Sequence, residues 1–263
     1  MSWGTRALAG ATALGLLVAA CSLDGGGPAG ILTTAQLAYV GKAPSESGRK
    51  QLVEVVEERL AAVGVTRSEI EVEDEGLLVE VGDYPEGELD RAWAVATRTG
   101  RLRIRPLISL RDGSRNDNTS TDDDVAAEAV VLQQADPAGA VVTYELAPAV
   151  GPDHIGTVAG TTVEDGRWGV TLDLADDANS AFVALAEACR AKQPLCPTGR
   201  VAFVVDSVVI DVLDQAALRA ASGDQPIELF GALEETSARD LATVLQSGPL
   251  PVALELGKVR TEP

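Results

Sequence analysis

Glu69-Ile70-Glu71-Val72-Glu73-Asp74-Glu75-Gly76-Leu77-Leu78-Val79-Glu80-Val81 is the stretch on which the fold turns. Glu69 to Glu73 and Leu77 to Val81 are two short runs with period-two alternation, and Asp74-Glu75-Gly76 between them is a turn signal. The segment therefore predicts a hairpin. On its amino-terminal side, Ile31 to Leu37 predicts a strand. Beyond Ser45 and Ser47, residues Leu52, Val56, Leu60 and Val63 fall on one face of a helix that Gly64 stops. On its other side Pro85 opens a second helix with Leu89, Trp93 and Ala96 on one face. Gly100 ends that helix, and Arg101-Leu102-Arg103-Ile104-Arg105 alternates as a fourth strand. The order is βαββαβ.

That order is the ferredoxin-like pattern and sets the expected class as α+β. Arg111 to Asp124 holds Gly, Ser, Thr, Asn and Asp with almost nothing apolar, so it predicts a surface loop between two subdomains. Past it, Val141 to Leu146 predicts a strand, and Trp168, Val170, Leu172 and Leu174 alternate as another with one buried face. A helix follows, with Asp176 or Asp177 as its cap and a stripe from Phe182 through Leu185 and Ala186 to Cys189 as its core side. Val201 to Val205 and Val208 to Val212, joined by Asp206-Ser207, predict a second hairpin. Leu233 to Gln246 predicts a helix with Leu241, Val244 and Leu245 inward, stopped by Ser247-Gly248-Pro249. Val252, Leu254 and Leu256 then alternate as a last strand. The expected division is a base over 31–110, a polar acidic loop over 111–124, a second α+β unit over 125–248, and a strand and tail over 249–263 that returns to the base.

The amino terminus reads as an address. Met1 to Arg6 carries one positive charge, and Ala7 to Ala20 is an unbroken run of apolar or small residues, too short to span a bilayer and right for the core of a signal peptide. Val18-Ala19-Ala20-Cys21 resembles the lipobox of bacterial lipoproteins, which implies removal of residues 1–20 and acylation of the Cys21 thiol. The mature chain, 263 − 20 = 243 residues, is then held on the extracytoplasmic face of the membrane, because acyl chains bind at ~0.8 kcal/mol per buried methylene. Residues 21–30, with Gly25-Gly26-Gly27-Pro28, form a tether whose Ser22 to Gly30 part reaches at most ~30 Å at ~3.5 Å per residue. With Cys21 lipidated, Cys189 and Cys196 are the cysteines left, outside the reducing cytosol, and they are expected to pair.

Forty Asp and Glu against 21 Lys and Arg give a net charge of −19, a field that repels nucleic-acid phosphates, and aromatics at 3% leave little to stack on bases. No nucleic-acid partner and no cofactor are expected. A calcium loop starting at Asp117 would place Thr119 and Thr121 at its third and fifth positions, where Asp or Asn is expected, and Asp122 at its obligatory glycine, and does not fit. The chain's one histidine, His154, has no second histidine to share a zinc with or to serve as a catalytic pair. Ser180 and Ser247 lie beside helices with no histidine near in sequence, and no Gly-rich phosphate loop or nucleophile elbow is present. No catalytic and no metal residue is assigned, and the chain is not expected to be an enzyme.

Three stretches resemble the large periplasmic domain of SecD, an accessory subunit of the bacterial Sec export complex. They are Arg101-Leu102-Arg103-Ile104-Arg105-Pro106-Leu107, the Trp168 to Phe182 region, and Gly199-Arg200-Val201-Ala202-Phe203-Val204-Val205-Asp206 leading to Val208-Val209-Ile210. At the family's spacing from the last comes Ser237-Ala238-Arg239-Asp240-Leu241-Ala242-Thr243-Val244-Leu245-Gln246-Ser247-Gly248-Pro249-Leu250-Pro251. The likeness covers about Ile31 to Lys258 and implies a ferredoxin-like base with an inserted α+β head. It departs at Ser207, where the family has glycine, at Glu234, where it has a Thr cap, and at Gln246, where it has arginine. The resemblance implies a binding role in protein export, with Sec components or exported polypeptides as partners. SecD works through charged transmembrane helices of ~20 apolar residues each, and no stretch here reads as one. The expectation is a base and head without the membrane motor, anchored by lipid. The alternative is a structural or regulatory envelope lipoprotein that keeps the fold without the export role.

Overall fold

The computed structural model describes residues 32–113, 126, 128–135, 138–151, 157–221 and 226–262. Cys21 and the address and tether around it, Asp117, Thr119, Thr121, Asp122 and His154 lie outside them. In chain order the elements are β1 (Leu32–Tyr39), α1 (Glu46–Ala62), β2 (Ser68–Val72), β3 (Gly76–Gly82), α2 (Glu86–Thr97) and β4 (Leu102–Asp112). Then come β5 (Val130–Ala135), β6 (Val141–Leu146), β7 (Thr157–Glu164), β8 (Arg167–Leu174) and α3 (Asp176–Arg190). The last are β9 (Val201–Val205), β10 (Val208–Leu213), α4 (Gln215–Ala221), β11 (Ile227–Leu233), α5 (Glu235–Gln246) and β12 (Leu254–Glu262). The fold is α+β, with antiparallel sheets and, among the described residues, no helix long and apolar enough to cross a membrane.

The opening hairpin forms as β2 and β3, and α1 starts where the Ser45 hydroxyl accepts the Gly48 amide at 3.2 Å. Leu52, Val56 and Leu60 of α1 and Leu89, Ala92 and Trp93 of α2 bury their stripes against Ala35, Leu37, Val79 and Val81 of the sheet. Burying a side chain of this size contributes ~1.5–3 kcal/mol.

The fourth strand of that sheet is not the one expected. Its order is β12-β1-β3-β2, so the segment after α2 leaves it and the carboxyl-terminal strand completes it. The physical reason lies in burial. Leu102 to Leu107 is buried at every position and needs cover on both faces, whereas the place beside β1 is an open edge, suited to β12, exposed from Glu255 to Glu262.

β4 instead runs through a five-stranded sheet of order β10-β9-β4-β6-β5. Its period of two divides two cores. Leu102 and Ile104, with Val201, Phe203 and Val205 of β9, face one built with Phe182, Leu185 and Cys189 of α3 and Leu241 and Leu245 of α5. Leu107, Ala202 and Val204 face another built with Val130, Leu132 and Leu146. Arg103 and Arg105 are buried rather than solvated, and the Arg105 guanidinium donates to the Glu128 carbonyl at 2.6 Å and the Ala147 carbonyl at 3.0 Å. A third sheet, β11-β8-β7, packs beneath α5.

Three further expectations are corrected. Leu233 ends the strand β11 instead of opening a helix, because Ile227 and Leu229 alternate into the core and α5 begins only at Glu235. Neither Asp176 nor Asp177 caps α3. Ala175 holds the cap position, Asp177 accepts the adjacent Ala178 amide at 2.8 Å, and both carboxylates sit in the first turn, where the helix dipole favours them. Arg111 and Asp112 belong to β4 rather than to the polar loop, their backbones pairing with Thr143 and Val142 of β6.

Candidate binding groove and the joint beside it

The β9–β10 hairpin carries the most informative geometry. Asp206 and Ser207 both have positive φ, at 49° and 65°, so the turn has the primed handedness that matches strand twist even with serine where glycine is expected. The turn also serves as a clamp. The Asp206 carboxylate accepts the Gly100 and Arg101 amides, each at 2.9 Å, and the Arg98 guanidinium at 3.3 Å, which pins the crossing from α2 into β4.

Beside that crossing lies Arg59 of α1, fully buried. Its guanidinium donates to the Ser247 hydroxyl and the Gly248 carbonyl, both at 2.8 Å, and to the Arg98 carbonyl. One cation thus serves the carboxyl ends of α2 and α5, where helix dipoles favour positive charge. Burial pushes the Arg59 pKa down to about 10, partly countered by Asp206, so it stays charged near neutral pH. Gly100 has φ +77°, and a Cβ there would stand 2.7 Å from the Arg59 guanidinium, which is why the helix stop must be glycine. Arg91 of α2 grips Asp240 of α5 with contacts of 2.7 to 3.1 Å, and that bond holds the Arg91 pKa above its usual value.

Along β10 the hairpin opens onto a groove of about 1020 Å³. Its apolar floor includes Leu110, Tyr144, Val208, Val212 and Phe230, with Leu110 and Val208 45% and 46% exposed. Arg167, Arg200, Asp214 and Glu228 give it a rim of both signs. Two side chains build the walls. The Gln134 amide of β5 donates to the Val209 carbonyl at 3.1 Å and accepts the Val209 amide at 3.0 Å, taking the place of a missing strand and curling the five-stranded sheet so that its outer strands meet. Asp211, at a bulge in β10, accepts the Phe230 amide at 2.8 Å and so ties β10 to β11. Gly231 permits that approach, since a Cβ there would lie 2.0 Å from the Ile210 carbonyl oxygen.

Chemically the groove offers exposed apolar surface beside side chains of both charges. Sequence reasoning missed Gln134, Asp211 and Phe230 as wall residues. The alternation of Ile227 and Leu229 before Gly231 was the available signal for the last of them.

Of the residues singled out in the sequence, Cys189 and Cys196 are brought together. They are bonded to each other, with Cα atoms 4.9 Å apart, both fully buried, and they fasten the end of α3 to the approach to β9. Ser180 donates to the Asp176 carbonyl at 2.7 Å, and Ser247 donates to the Val244 carbonyl at 3.1 Å while accepting from Arg59, so both hydroxyls are engaged in helix contacts. Glu234 makes no side-chain cap, and Gln246 is exposed at the end of α5. Among the described residues no group of three or more His, Cys, Asp or Glu is placed to hold a metal.

No family model matches the chain, and no curated protein matches it. Solved structures do. A crystal structure of SecDF in a super-membrane-facing form aligns over 88% of this chain with a TM-score of 0.61 and 20% identity. This chain spans 30% of that protein's length. A second structure, of a membrane component SecDF that enhances protein export, aligns over 86% of this chain and 99% of its own, with a TM-score of 0.56 and 20% identity. At this identity the likeness concerns the fold, which is shared over 86% to 88% of this chain.

Proposed function

We propose that this chain is a non-enzymatic extracytoplasmic module that assists protein export by holding translocated polypeptides at the membrane surface, anchored through a lipid on Cys21. The observation that carries the reading is the fold shared with SecDF chains over 88% of this one, joined to an open groove with exposed apolar residues and charges of both signs, which suits an extended polypeptide. In this reading the groove between β10 and β11 receives an extended, partly apolar segment. The Cys189–Cys196 bond, suited to an oxidising compartment, keeps β9 in place behind it. The Sec translocon is the partner that delivers the polypeptide. A base and a head over the expected bounds, with β12 returning to the base, are part of the same proposal.

A photo-crosslinker placed at Val208 or Phe230 in the native membrane tests it. Arrested secretory precursors should be captured there, and a crosslinker at Lys50, on the exposed side of α1, should capture none. Mass analysis of the same preparation should find the chain starting at an acylated Cys21. Failure to capture any precursor or Sec subunit, with deletion leaving secreted proteins exported normally, would replace this reading with a structural envelope role.

A further inference from the structure

The outer edge of the four-stranded sheet carries a second, independent pattern. β12 is the last strand in its order, and among the described residues no strand pairs with its outer side. Leu256 and Val259 stand 39% and 43% exposed there, an apolar pair on an edge strand that also carries Glu255, Lys258, Arg260 and Glu262.

The direction of its peptide groups follows from β1. The Tyr39 amide donates to the Glu75 carbonyl on the β3 side, and the Val40 amide donates to the Ala253 carbonyl on the β12 side, both at 2.9 Å. Alternation along β1 then turns Leu32, Thr34 and Ala38 toward β12, where they face Glu262, Arg260 and Glu255. The peptide groups of Leu254, Leu256, Val259 and Thr261 therefore point outward. In an unbroken strand outward residues are spaced by two. Here Gln36 faces Gly257 and Lys258 together, because the register shifts between Ala35 and Leu37, and this bulge sets Leu256 and Val259 three apart. The outward set is consequently symmetric about the Gly257–Lys258 peptide.

We propose that two copies of this chain pair through β12, antiparallel, about a two-fold axis through that peptide. The register follows from the symmetry. Leu254 meets Thr261 and Leu256 meets Val259 of the second copy in hydrogen-bonded pairs, each occurring twice. Glu255 falls opposite Arg260 of the second copy in a non-hydrogen-bonded pair, the closer kind, so opposite charges meet twice on one face while the apolar pairs meet on the other. Lys258 falls opposite Gly257, which has no side chain to oppose it. The other edge of the sheet lacks this complementarity, since β2 presents Glu69 and Glu71, both exposed. The bulge that bends the edge is the device that makes it self-complementary, and the two four-stranded sheets become one.

Sedimentation of the full chain in detergent over a concentration series tests this, with thermal unfolding of each variant as the control for folding. The wild-type chain should dimerise as concentration rises. Glu255→Arg and Arg260→Glu, each alone, set like charges opposite one another and should weaken the dimer on the order of tenfold, while the double variant E255R/R260E restores it. Val259→Pro removes an outward amide at an edge position that tolerates proline, so the chain should fold and remain monomeric. A wild-type chain monomeric up to about 0.1 mM, or a double variant as weak as the single ones, overturns the proposal.

Discussion

Replacing Arg59 by methionine removes the one side chain that serves the carboxyl ends of both α2 and α5. The aliphatic stem keeps its packing, so the loss falls on the guanidinium and its acceptors. Ser247 retains its bond to the Val244 carbonyl, but the Arg98 and Gly248 carbonyls lose their charged donor. Orphaning a fully buried acceptor costs ~1–3 kcal/mol, so ~2–6 is the ceiling for these two part-buried carbonyls. Against this stands the relief of a buried charge, the penalty that pushes the Arg59 pKa down to about 10. The net expectation is a destabilisation of about 3 kcal/mol, a fall in Tm of roughly 6–12 °C for a chain of this size. Urea unfolding of the oxidised protein measures it through the midpoint. Arg59→Lys should do no better than Arg59→Met, because a lysine keeps the buried charge and loses the planar fork that reaches several acceptors at once. Hydrogen exchange should accelerate first at Gly100, Arg101 and Leu250, whose amides are bonded within the joint, to Asp206 and to the Thr99 carbonyl. A loss below about 1 kcal/mol for Arg59→Met, or full rescue by lysine, would refute the view of Arg59 as a shared cap.

The wall residues and the disulfide make separate claims. Gln134→Leu leaves the Val209 amide and carbonyl without their partner, so it should cost ~1–3 kcal/mol and raise the exchange rate of the Val209 amide by NMR; an unchanged rate would count against sheet closure by Gln134. Gly231→Ala drives a methyl into the Ile210 carbonyl and should cost at least ~1–3 kcal/mol in urea unfolding, with loss of crosslinking at Val208 if the groove is the binding site. Cys189→Ser with Cys196→Ser, which opens a bridge across a separation of 7 residues, should lower stability by ~2.5 kcal/mol on the chain-entropy model, and reduction of the wild-type protein should reproduce it.

Much of the local structure was legible because it depends on short-range periodicity. The β2–β3 and β9–β10 hairpins, the helices α1, α2 and α3, and the stops at Gly64, Gly100 and Gly248 follow from alternation, apolar stripes and glycine at left-handed positions. β5, β7 and α4 escaped because Val130–Ala135, Thr157–Glu164 and Gln215–Ala221 are short and carry weak patterns, and β11 because its apolar residues adjoin a helix signal. The groove was hidden for a different reason. Its walls depend on Gln134 meeting Val209 and on Asp211 meeting Phe230, contacts across 75 and 19 residues that no local window registers.

Taken alone, the amino-acid order determined the class of the fold, the main helices and hairpins, and the unusual acidity of the surface, since each rests on side-chain chemistry within a few residues. Tertiary structure decided which strand completes the first sheet, because Leu102 to Leu107 needs two covered faces and β12 accepts an open edge. It also decided that Arg59, polar and unremarkable within a helix of alternating charge, becomes a buried cap once the ends of α2 and α5 converge on it. Burial is a property of what packs around a residue, and for these groups the surroundings come from the far end of the chain.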